Sequence, residues 1–69
     1  MNHEELAKLA NYLQLKFKNP DIKLKLSNSD SSMAEVYMGT EFIGTLYKDE
    51  DEGETSYDFN MSIIDIDLQ

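Results

Sequence analysis

Five acidic side chains lie between positions 49 and 54: Asp49, Glu50, Asp51, Glu52 and Glu54. Carboxylate oxygens at such density suit hard cations such as Ca²⁺ or Mg²⁺. The EF-hand spacing is not met. With Asp49 as the first loop position and Asp51 as the third, Gly53 arrives one place too early, and strand patterns flank the run where helices should. The run reads as an exposed hairpin loop whose like charges resist edge-to-edge aggregation. Divalent-cation binding through Asp49, Asp51, Glu52 and Glu54 is the alternative. A second acidic pair, Asp65 and Asp67, shares one face if its segment is a strand, with Asp58 nearby. Paired carboxylates can perform acid–base or metal chemistry. The polar half of an alternating strand gives the same pattern, and no nucleophile–base pair or glycine-rich phosphate loop accompanies it. No enzyme is expected, and no catalytic, metal or cofactor-binding residue is assigned.

The missing residue types narrow the chemistry further. Cysteine is absent, which removes disulfides, thiolate zinc sites and cysteine nucleophiles, and the single histidine is His3. All six basic residues are lysines. Arginine is the usual bidentate clamp for phosphate and guanine, so its absence, with a net charge of −8, argues against nucleic acid as a partner. The charge is uneven: residues 35–69 carry ten acids against Lys48 alone. Such a field keeps a small protein soluble, and it can also orient a basic partner or two protomers.

Elements must position these groups. Leu6, Leu9, Ala10, Leu13 and Phe17 form one stripe at helical spacing, predicting a helix from about His3 to Lys18. Asn2 and Glu5 have the spacing of a capping box, Met1 is placed to pack on Leu6, and Asn19-Pro20 stops the helix. Tyr12 and Leu15 fall off the stripe and read as scattered exposed residues. Ile22–Leu26 alternates as a first strand, and the polar stretch Ser27–Ser32 reads as an ordinary loop. Ala34–Met38 and Glu41–Tyr47 make a hairpin around Gly39-Thr40. That turn sets Val36 opposite Ile43 and Tyr37 opposite Phe42, so both faces of the hairpin are apolar. Unless Gly44 permits a bulge, one helix leaves Tyr37, Phe42 and Leu46 uncovered. Tyr37, Phe42, Tyr47 and Tyr57 together suit an aromatic surface, read as core or protein contact.

Ser56–Ile63 has the clearest alternation in the chain. Its phase breaks at Ile63-Ile64 and resumes through Ile66 and Leu68. Straight, Thr55–Leu68 would reach about 46 Å at roughly 3.3 Å per residue. A compact domain of this length is only about 28 Å across. The segment must bend at Ile63-Ile64 or project and pair with another chain.

Ala34-Glu35-Val36-Tyr37, Gly39, Glu41-Phe42-Ile43-Gly44 and Leu46-Tyr47 resemble a family of short alphaproteobacterial proteins of unknown function. Gly53-Glu54, Ser56-Tyr57, Phe59, Met61, Ile63 and the ending Asp65-Ile66-Asp67-Leu68 continue the resemblance. The opening Glu4-Glu5-Leu6 and the Asn19-Pro20 stop fit it too. It implies a bacterial, cytoplasmic, stand-alone domain and carries over no functional residue.

The reading is one domain over residues 1–69 of class α+β. One N-terminal helix packs on an antiparallel sheet of four strands, or five, in α-β-β-β-β order. A chain of 69 residues without cysteine has a small core, so a second subunit is an expected source of stability. The expected function is a non-enzymatic protein-interaction module acting as a homodimer, with Tyr37, Phe42, Leu46, Ile64, Ile66 and Leu68 at the interface. The partner is a second copy or another protein, with neither nucleic acid nor membrane. An acidic mimic of nucleic acid that binds a basic protein is a further alternative. The opening Met-Asn-His-Glu-Glu lacks a signal-peptide pattern, no apolar run approaches a membrane span, and the cytoplasm is the expected compartment.

Overall fold

Asn2 starts the first element. In the computed structural model, which describes residues 1–69, its side chain accepts from the Glu5 amide at 2.8 Å. The Glu5 carboxylate in turn accepts from the Asn2 amide at 3.2 Å. This reciprocal pair satisfies two donors that a helix start leaves without partners. Helix α1 then runs His3–Phe17. Lys18 takes the left-handed conformation (φ 54°), and the Asn19 amide donates to the Gln14 carbonyl at 2.9 Å. The helix thus ends one residue earlier than expected, with Lys18 as its cap. The Asn19 side chain accepts from the Asp21 amide at 2.9 Å, which turns the chain over Pro20 into the sheet. No helix of the chain is long and apolar enough to cross a membrane.

Four strands follow: β1 (Ile22–Leu26), β2 (Met33–Met38), β3 (Glu41–Asp51) and β4 (Glu54–Asn60). They form one antiparallel sheet in the order β1-β2-β3-β4, the architecture expected from the alternation. Helix α1 covers one face. Leu6 and Leu13 pack there with Ile22, Ala34, Val36 and Leu46, and these six are the buried hydrophobic core. Met1, Leu9, Leu24, Leu26, Ile43, Tyr57 and Phe59 ring it, and Phe17 meets Phe59 edge-on with ring centres 6.1 Å apart. The Gln14 amide donates to the Ile22 carbonyl at 2.9 Å and ties the helix to the start of β1. The opposite face of the sheet is bare.

The register contains one irregularity, and it brings the first of three corrections. Tyr37 faces Phe42 as the Gly39-Thr40 turn requires, but Val36 faces Gly44 and Ile43 is the extra residue of a bulge. A bulge shifts every later side chain to the other face. Leu46 therefore turns inward and is 2% exposed: it belongs to the core, and its assignment to an exposed interface is corrected. Lys48 turns inward with it.

The acidic run is a second correction. Asp49, Glu50 and Asp51 are the end of β3, and only Glu52-Gly53 turns, with φ of 52° and 80°. Positive φ at both central residues is what a two-residue hairpin turn of the right twist needs. The ribbon formed by β3 and β4 runs past the last residue of β3 that pairs with β2, Tyr47 opposite Met33. It gives the molecule its 43 × 23 × 22 Å extents.

The third correction concerns the end of the chain. Strand β4 stops at Asn60, before the expected break at Ile63-Ile64, and no fifth strand forms. The reason lies opposite. Asn60 pairs with Thr45, and the next residue of β3 is Gly44, beside the bulge. There the Asn60 carbonyl packs so close that a Cβ on Gly44 would lie 2.4 Å from it. The ladder cannot continue past that point, and the tail instead ends in a 3-10 helix at Asp65–Leu68.

Candidate interaction surface

The bare face carries three cross-strand rows. Lys23, Tyr37 and Phe42 make the first. Lys25, Glu35, Thr45 and Asn60 make the second. Met33, Tyr47 and Asp58 make the third. Tyr37 and Phe42 pack edge to face with ring centres 5.7 Å apart, and Phe42 is 52% exposed. The Tyr37 hydroxyl donates to the Glu35 carboxylate at 2.9 Å, and that acceptor pushes the phenol up from its ordinary value.

Of the residues predicted at an interface, the structure brings Tyr37, Phe42 and Ile64 into one neighbourhood. Phe42 and Ile64 line a shallow concavity of about 320 Å³ with Thr45 and Asn60. Ile66 and Leu68 lie farther along the tail, exposed at 67% and 75%. Leu46 is under the helix, as described. Tyr57 also leaves the predicted aromatic surface, because it points to the helix side.

The acids are not gathered into one loop. After the bulge, Asp49 and Asp51 alternate onto the bare face with Glu54 and Asp58, while Glu50 turns to the other side, 3.6 Å from Lys48. No three of the His, Asp and Glu side chains come together as a group that could hold a metal. Asp65 and Asp67 sit on the 3-10 helix instead of a strand, and Asp67 accepts from the Ile64 amide at 3.2 Å.

Sequence reasoning missed a polar knot under the helix. The Lys48 amine lies 2.7 Å from the Glu5 carboxylate, and the Tyr57 hydroxyl donates to the same oxygen at 2.7 Å. Lys48, then Tyr57, hold the Glu5 carboxyl down to about 2 from an ordinary 4.5. Glu5 in return raises both Lys48 and Tyr57. This tuning is wrong for proton transfer near neutrality: the acid is too strong and the amine too weakly acidic. It suits a clamp that joins the capped helix start to β3 and β4. The signal was Lys48 itself, the only base among residues 35–69. Beside the knot, Leu9, Tyr12, Leu13 and Phe59 line an open groove of about 540 Å³ between α1 and β4.

The knot, the bulge and the tail as far as Asp67 fall within residues 5–67, which match the family described as Protein of unknown function (DUF3126). The chain belongs to the DUF3126 family. The match carries the resemblance as far as that family and its unknown function. No curated protein and no solved structure matches this DUF3126 chain.

Proposed function

We propose that the chain is a non-enzymatic protein-interaction module that acts as a homodimer through its bare sheet face. The observation that carries this reading is the Tyr37–Phe42 pair, half-buried at Tyr37 and exposed at Phe42, with Ile64 of the tail beside it. A sheet with one covered face and aromatic residues on the other has apolar area left to bury. The core is correspondingly small: six hydrophobic residues are buried, while eleven large ones are exposed. Burial by a second copy supplies what a chain of this size lacks. Sedimentation equilibrium across the micromolar range tests the reading. A concentration-dependent dimer is expected, and Phe42→Lys should abolish it while leaving helix content unchanged. A monomer at every concentration sinks the proposal.

The projecting ribbon supports a second reading. Its exposed Asp49, Asp51, Glu52 and Glu54 form an acidic arm that would capture a basic protein. Such capture must weaken steeply with salt, so binding that ignores ionic strength removes it.

A further inference from the structure

The bare face is charged in a pattern that fits a copy of itself. Lys23 and Lys25 stand on β1 at one edge, and Asp58 stands on β4 at the other, with Asp49, Asp51 and Glu54 along the ribbon beyond it. Tyr37, Phe42 and Tyr47 lie between, with Glu35 beside Lys25 and Thr45 beside Glu35. Resting on the homodimer reading above, we propose that two copies pack these faces together about a two-fold axis parallel to the strands. Lys25 of each copy then pairs with Asp58 of the other.

The axis follows from the charges. Two sheets can meet face to face about a two-fold axis along the strands or across them. An axis across the strands lays β1 over β1 of the other copy and sets lysine against lysine. An axis along the strands lays β1 over β4 and sets lysine against aspartate at both edges. Like charges so juxtaposed disfavour the first arrangement, and opposite charges favour the second. Lys25 and Asp58 differ by one row of the register, a step of roughly 7 Å that the tilt of packed sheets and a lysine stem can span. The aromatic strip of each copy then covers that of the other.

The isologous contact occurs twice, so each charge reversal acts twice. Lys25→Glu and Asp58→Lys should each weaken dimerisation by about tenfold or more. An equimolar mixture of the two single variants should restore a heterodimer to near wild-type affinity, because both of its contacts are again of opposite charge. Sedimentation of the separate and mixed variants reads this directly, and circular dichroism confirms that each is folded. Three results overturn the arrangement while leaving the dimer standing: single variants that dimerise normally, a mixture no tighter than its parts, or Lys25→Glu restored by wild-type chain alone. The last would place β1 over β1. A wild-type monomer instead removes the homodimer reading itself.

Discussion

Gly44→Ala should destabilise the chain, and for a reason that sets it apart from the other two glycines. Its Cβ would stand 2.4 Å from the Asn60 carbonyl oxygen and 2.9 Å from a ring carbon of Phe59. The first is backbone, so a rotamer change cannot relieve it; the end of β4 must move. Overpacking of this kind costs about 1–3 kcal/mol. The loss of glycine freedom in the unfolded chain offsets about 0.4–1 kcal/mol of that. A net loss of about 1–2 kcal/mol in a domain of this size lowers Tm by about 5–15 °C. Thermal unfolding followed by circular dichroism, at one fixed protein concentration, measures it. The amide resonances of Met61 to Ile64 should shift as well, because the displaced Asn60 carries the tail with it. Gly39 and Gly53 have open space around a Cβ, and at φ of 64° and 80° their cost is backbone strain of roughly 1–2 kcal/mol without movement of the tail. If Gly44→Ala unfolds at or above the wild-type temperature, the close packing of Asn60 on Gly44, and the account of why β4 stops there, are refuted.

The Glu5 knot predicts an acid limb. Because the folded carboxyl is held at about 2, below its ordinary 4.5, its stabilisation is present above the ordinary value and lost as pH falls toward 2. Glu5→Gln should flatten the fall of Tm across that window, and an unchanged slope would remove the knot. Leu46→Ala should cost about 2–5 kcal/mol of folding stability, as a core truncation does; Phe42→Ala should instead act mainly on dimerisation, and the reverse pattern would undo the assigned phase of β3. Titration calorimetry with Ca²⁺ and Mg²⁺ should give no saturable heat, since no three of the acids come together as a group that could hold a metal, and a stoichiometric site would contradict that geometry.

Much of this fold is legible residue by residue. Asn2 and Glu5 announce the helix start through a contact three residues long, and the Leu6–Leu13 stripe shows which side is buried. Gly39-Thr40 fixes the hairpin and places Tyr37 against Phe42. These signals are local, so spacing alone carries them. The Glu5–Tyr57 hydrogen bond spans 52 positions and depends on how β4 registers on β3, which no local pattern records. The acidic run misled for a related reason. Charged residues favour loops on average, but a two-residue turn at Glu52-Gly53 leaves Asp49 to Asp51 free to pair in the ladder, and pairing prevails. The end of β4 was misplaced because its own alternation is intact up to Ile63; what stops it is the opposite strand.

The bulge at Ile43 also decides what the bare face can do. If Ile43 paired in the ladder instead of bulging, Leu46 and Lys48 would point outward and Tyr47 and Asp49 inward. Lys48 would then stand among the acids of the ribbon and neutralise part of the edge at β4. Leu46 would widen the apolar strip but leave the helix with a hole beneath it. With the bulge, Leu46 closes the core, Lys48 is taken up by Glu5, and the outward positions fall to Tyr47, Asp49 and Asp51. The face thereby carries lysines at the β1 edge and acids at the β4 edge, with Tyr37, Phe42 and Tyr47 between them beside Glu35 and Thr45. Only a face divided in this way distinguishes one two-fold axis from the other. A chain from which Ile43 is deleted still sets Gly44 opposite Val36 and keeps Leu46 and Lys48 inward, so, if it folds, it should retain the same charge dependence of association, and losing that dependence would count against this account of the register.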